Sequence, residues 1–186
     1  SLSVDNTALY DLLTYRYIPA PKTPYVEVRK LMPGHYLTLD SHSGKFVQRR
    51  YWSLPTTVRD GSREALAEQL RSTVESSVRS HLTSDVPLGT FLSGGMDSSI
   101  VSMHASRAVK QMHSFSIGFD NPEYDETQFA RIASNAFGTQ HHEKMLVRSD
   151  SDNLVSWMRT TYDEPFGDYS ALPTFHVSQL ARSHVT

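Results

Sequence analysis

The chain has 186 residues, 38% of them hydrophobic and 20% charged, a globular balance that argues against intrinsic disorder. Its formal net charge is −2, so it offers no broad basic field to nucleic acid or to an anionic membrane. It has no cysteine, which removes disulfides, cysteine-ligated zinc and a cysteine nucleophile together and suits a reducing, cytoplasmic setting.

No apolar run approaches the roughly 20 residues that a spanning helix needs. The opening Ser1-Leu2-Ser3-Val4-Asp5 lacks the basic and apolar regions of a signal peptide. There is no initiator methionine, and no cap closes Ala181 to Thr186, so both ends are expected to be fragment boundaries. Asp5 is placed to N-cap a helix through Leu9, Leu12 and Leu13, and Ile18-Pro19-Ala20-Pro21 should break it. Pro33-Gly34 signals a turn, Tyr36 to Leu39 alternates at strand period, and Ser41 to Gly44 turns the chain into a second strand over Lys45 to Trp52.

Pro55 to Gly61 is loop-like, which predicts one domain over 1–54 and another over 55–186. Ser62 should cap a helix whose apolar stripe is Leu66, Leu70, Val74, Val78 and Leu82. Val86 to Leu92 reads as a buried strand, followed by a helix from Ser98 with Ile100, Val101, His104, Ala105, Ala108 and Val109 on one side. Ser114 to Phe119 is a further strand. Asp125 and Gln128 suggest a capping box for a helix that buries Phe129, Ile132, Ala133, Ala136 and Phe137 and stops at Gly138. A third strand over His142 to Val147, a helix over Leu154 to Tyr162 and a last helix from Ala171 to Arg182 complete the chain. This alternation predicts an α/β fold, an open parallel sheet with flanking helices.

The chemistry concentrates in Ser93-Gly94-Gly95-Met96-Asp97-Ser98-Ser99, which follows a strand and opens a helix. Ligands of open α/β sheets sit at the carboxyl ends of the strands. Gly94 and Gly95 let the backbone approach an anion, and the helix start offers free N–H groups and the positive end of its dipole. Ser93, Ser98 and Ser99 add hydroxyl donors. Asp97 would repel a bare phosphate but fits one bridged by Mg²⁺, an ion that takes one or two carboxylates with phosphate oxygens. The loop has no lysine and is not a Walker A sequence.

These residues resemble the PP-loop of the N-type ATP pyrophosphatases, the adenine-nucleotide alpha-hydrolase type, and the surrounding chain resembles the glutamine-hydrolysing asparagine synthetase family. Tyr17 to Thr23, Lys30 to Leu37 and Tyr51-Trp52 are similar to the C-terminal end of that family's β-rich N-terminal-nucleophile glutaminase domain. Phe91 to Ser99, Ser114 to Phe119, Tyr124-Asp125-Glu126, Gly138 to Glu143 and Asp163 to Asp168 are similar to its synthetase domain, in the same order. The resemblance implies an ATP-dependent ligase: aspartate is adenylated with release of pyrophosphate, and glutamine-derived ammonia then displaces AMP. It also implies backbone contacts from Leu92 and Ile117 to adenosine, a pyrophosphate site at Ser93, Gly94, Gly95, Asp97, Ser98 and Ser99, and Mg²⁺ on Asp97. Beyond the loop the sequence offers no catalytic residue. The full-length protein has the option of a homodimer.

Two departures stand out. The family's N-terminal cysteine nucleophile has no counterpart, and neither does its second synthetase loop, S-G-x-G-x-D-E. This polypeptide alone is therefore expected to make no asparagine. The alternatives are a β-lactam-type synthetase or amidotransferase acting on another carboxylate, and a nucleotide-binding module without turnover. His141 and His142, as strand neighbours, should face opposite ways and not share a metal. Asp163-Glu164 is a candidate for an acceptor pocket, with a plain helix-ending turn as the other reading.

Overall fold

The structure, a computed structural model, describes residues 1–151 and 154–185. Thr186, part of the chain-end reading above, lies outside them. The elements in chain order are α1 (Asn6–Tyr15), β1 (His35–Leu39), β2 (Phe46–Arg50), α2 (Arg63–Ser80), β3 (Gly89–Phe91), α3 (Met96–Ala108), β4 (His113–Phe119), α4 (Thr127–Phe137), β5 (Gln140–Leu146), α5 (Leu154–Thr161) and α6 (Ala171–Arg182). They form two compact units. The first joins Ser1–Arg59 to Val155–Asp168, and the second joins Asp60–Leu154 to Tyr169–Thr186.

In the first unit, the Asp5 carboxylate accepts the Thr7 and Ala8 N–H groups at 2.9 and 3.2 Å, which starts α1 as the sequence predicts. The helix stops earlier than the proline run. Arg16 turns left-handed at φ 66° and gives its N–H to the Leu12 carbonyl, so a local cap ends the helix before Pro19. β1 and β2 form the expected antiparallel hairpin, in register from His35↔Arg50 to Leu39↔Phe46. Asp40 closes it by accepting the N–H groups of His42 and Ser43 at 2.8 and 2.9 Å.

The second unit holds a parallel sheet in the order β3-β4-β5. Side chains alternate across it. Thr90, Ser114, Ser116 and Glu143 face α3 and α4: the Ser102 hydroxyl donates to Thr90 Oγ1, and Arg131 forks onto Glu143 at 2.7 to 3.0 Å. His142 and Lys144 face α6, where Lys144 Nζ donates to His176 Nδ1 at 3.0 Å and the His142 ring lies 3.8 Å from that of His184.

Several sequence expectations change here. β3 covers three residues and leaves Phe91 51% exposed, because it is an edge strand of the described sheet with one neighbour. α3 begins at Met96, two residues before Ser98, since Gly95 is already in N-cap conformation. The Asp125–Gln128 box is not formed: Asp125 accepts the Thr127 N–H and hydroxyl, Glu126 is the N-cap residue, and no side chain caps α4. α4 is also rotated. Phe129 and Ile132 are 51% and 66% exposed, while Ala130 and Ala133 pack on Leu92, because only small side chains fit where the helix meets the loop after β3. Ser62 caps α2 through the Ala65 N–H, yet no residue of α2 is buried.

His141 and His142 do face opposite ways. His141 bonds Ser114, Ser116 and Glu143, whereas His142 bonds His113 at 3.0 Å. Burial lowers the pKa of both below the ordinary 6.5. Glu143 pulls His141 the other way, but Arg131 already neutralises that carboxylate. His142 is further opposed by His184 and His113. A histidine harder to protonate in the fold than in the open chain adds stability above its unfolded pKa and loses it as pH falls towards the folded value. Thermal unfolding is therefore expected at lower temperature near about pH 5.5 than near about pH 7.5. His141→Gln should flatten that dependence; an unchanged slope would remove His141 as its source.

Candidate functional site

The loop after β3 is built around one close approach. Gly94 has φ +83°, and a Cβ on it would lie 2.5 Å from Ala130 N and from the Phe129 carbonyl carbon. The loop thus rests directly on the first turn of α4, and only glycine permits it. Gly95 supplies the N-cap of α3 with no side-chain cap bond, so the first N–H groups of that helix are left for a ligand or water. The serines hold the loop closed. Ser93 and Ser98 hydroxyls lie 2.9 Å apart, the Ser93 N–H donates to Ser98 Oγ at 3.2 Å, and the Gly95 N–H donates to Ser93 Oγ at 3.3 Å.

Beside this loop, at the carboxyl ends of β3 and β4, lies a cavity of about 450 Å³. Its walls include Leu92 and Ser93, then Phe115 and Ile117 of β4, Tyr124, Glu126 and Thr127 before and within α4, and Thr174 and Val177 of α6. The volume is that of an ordinary small-molecule pocket. Of the residues singled out by sequence, Leu92, Ser93 and Ile117 line this cavity together. Gly94, Gly95, Ser98 and Ser99 form the loop and the helix start next to it. Asp97 is placed differently: it is exposed on α3 and opens on a groove of about 760 Å³ shared with Leu70 and Val74 of α2 and with Ile100.

Asp163 and Glu164 belong to the first unit, where they line a cleft of about 790 Å³ with Tyr25, Arg29 and Lys30, and Glu164 pairs with Lys30. Glu126, Thr174 and Val177 were not assigned a role from sequence. Glu126 stands in a motif that sequence did single out, whereas Thr174 and Val177 carry only helical periodicity.

The sequence model for asparagine synthase matches residues 69–186. The chain belongs to the asparagine synthase family. A Methanocaldococcus jannaschii protein that bears the name asparagine synthetase 2 (glutamine-hydrolysing) is 37% identical over 188 residues, covering 100% of this chain and 36% of that protein. The glutamine-hydrolysing asparagine synthetase 1 of Bacillus subtilis is 28% identical over 185 residues, covering 100% of this chain and 29% of its own length. This chain therefore spans about a third of the curated relatives it matches. Among solved structures, the NMN synthetase of Francisella tularensis aligns with a TM-score of 0.42 at 15% identity, over 67% of this chain and 52% of that one.

Among the described residues, no group of three or more His, Cys, Asp or Glu side chains is arranged to hold an ion. One carboxylate in a serine-rich loop fits Mg²⁺ that arrives with phosphate oxygens, since this ion keeps few protein ligands. Asp97, in the first turn of α3, is the loop residue of the right type. Among the described residues no helix is long and apolar enough to cross a membrane.

Proposed function

We propose that this chain is the ATP-binding part of a glutamine-hydrolysing asparagine synthetase. The observation that carries the reading is the convergence of Leu92, Ser93 and Ile117 on one cavity beside a glycine-serine loop that opens α3. On this reading the base and ribose occupy the cavity, with backbone contacts from Leu92 and Ile117. The phosphates meet Ser93, Gly94, Gly95, Ser98, Ser99 and the start of α3, with Asp97 as the carboxylate for Mg²⁺. A side-chain carboxylate oxygen of aspartate attacks the α-phosphorus, the bond to the bridging oxygen breaks, and pyrophosphate leaves. Ammonia from glutamine then attacks the aspartyl carbonyl carbon, AMP departs, and a proton is lost to give the amide. The residues of this chain contribute positioning and charge stabilisation.

The hairpin of β1 and β2 is taken as the end of a glutaminase domain over 1–54, with the synthetase domain from 55 onwards, in a cytoplasmic enzyme. Its support is the motif order of the first part and the full-length coverage by the two relatives above. The test is pyrophosphate release by the full-length protein given ATP, Mg²⁺ and a panel of carboxylates. Release that depends on aspartate and yields asparagine with ammonia is the expected result. Release with a different carboxylate alone would instead identify a relative with another acceptor.

A further inference from the structure

The cavity beside the loop has one carboxylate in its wall, Glu126, to which the reading above gives no task. Glu126 is the N-cap residue of α4 but makes no cap bond, and among the described residues its carboxylate has no hydrogen-bond or ion-pair partner. Its neighbour Asp125 differs, since the Thr127 N–H and hydroxyl both donate to it. Glu126 is thus an exposed carboxylate, free among the described residues, at this edge of the cavity. It is also close to the loop through its own helix, because Gly94 abuts the backbone at Phe129 and Ala130.

Charge decides which part of a nucleotide such a group can face. Phosphate oxygens and a carboxylate repel each other, so Glu126 belongs beside a neutral portion that offers donors. Much of the remaining lining is apolar, with Phe115, Ile117 and Val177, and suits the base. Between base and phosphates lies the ribose, whose adjacent 2′ and 3′ hydroxyls are donors that one carboxylate can accept through its two oxygens. We propose that Glu126 reads the ribose of the bound nucleotide, accepting from both hydroxyls and selecting ribonucleotides over deoxyribonucleotides. The inference rests on the nucleotide reading of this cavity.

The experiment measures dissociation constants of the full-length protein for ATP, 2′-deoxy-ATP and 3′-deoxy-ATP, with and without Mg²⁺, for wild type, Glu126→Gln and Glu126→Ala. Wild type should prefer ATP to each deoxy analogue by roughly 10-fold or more, the usual worth of a hydrogen bond to a charged acceptor. Glu126→Ala should bind all three nucleotides alike, at or below the affinity wild type has for the weaker analogue. Glu126→Gln should keep part of the preference, since its amide oxygen still accepts. The proposal is overturned if Glu126→Ala retains the wild-type preference, whether ATP affinity falls or not, as a contact to the base amino group would require. It is equally overturned if the only change is a greater need for Mg²⁺. Failure of wild type to bind any of the three would overturn the nucleotide reading as well, a result distinct from binding without discrimination.

Discussion

Gly94→Ala is expected to abolish nucleotide binding at the loop and to destabilise the second unit by about 2–5 kcal/mol, from left-handed strain and overpacking together. Both contributions are visible at the residue. Its φ is +83°, where a side chain is strained whatever the space. A Cβ would also meet the Ala130 nitrogen and the Phe129 carbonyl carbon at 2.5 Å, and neither is a flexible side-chain end that could swing aside. Ala130 is fully buried against Leu92, so relief would have to move α4 or the loop. Moving the loop changes the aim of the Gly95 N-cap and the start of α3. Gly138→Ala is the control, because Gly138 also has positive φ, at +67°, but has no atom within 4 Å of a Cβ. That variant should lose only about 1 kcal/mol and keep nucleotide binding. Equal losses in the two variants, read by thermal unfolding and by ATP titration, would show that the contact with α4 does not constrain the loop.

On the proposed function, Asp97→Asn in the full-length protein should reduce aspartate-dependent pyrophosphate release roughly 100- to 1,000-fold, the scale seen when one charge-stabilising group is removed from a reaction centre. The protein should still fold, since Asp97 is exposed and asparagine has the same shape. Affinity for ATP without Mg²⁺ should change little, whereas any strengthening of binding by Mg²⁺ should be lost. The groove beside α2 makes this a sharp test, because Asp97 opens on that side of α3 and not on the cavity of Leu92 and Ile117. A variant with intact Mg²⁺ dependence and intact release would take the metal away from Asp97. Nucleotide binding by both proteins with no release by either would favour a binding module without turnover.

Local chemistry was legible in the sequence wherever a few neighbouring residues decide the backbone. Asp5 and Ser62 cap the helices they precede, Asp40 closes its hairpin, and Gly138 ends α4 in left-handed conformation. The strand, glycine-serine loop and helix from Gly89 to Ala108 were readable for the same reason, since turn residues and periodicity lie within one short stretch. Where capping departs from the sequence expectation, a competing neighbour wins: Arg16 ends α1 before the prolines, and Thr127 takes the Asp125 carboxylate that the expected box pairs with Gln128.

The arrangement of the candidate site was decided by tertiary structure. Periodicity says that a helix has an apolar side, but the partner across the gap sets which residues go inward. For α4 that partner is the backbone at Gly94, so Ala130 is buried and Phe129 is not. The return of 155–168 to the first unit places Glu164 against Lys30, a pairing between residues far apart in the chain. In the same way Thr174 and Val177 of α6 line one cavity with Leu92 and Ile117, and Asp97 lines a groove with residues of α2. The sequence by itself determined most of the elements and the glycine-serine loop between β3 and α3, because those depend on bonds between near neighbours. Which wall each residue joins, and that Glu126 stands without a partner among the described residues, depended on close packing between segments that only the folded chain brings together.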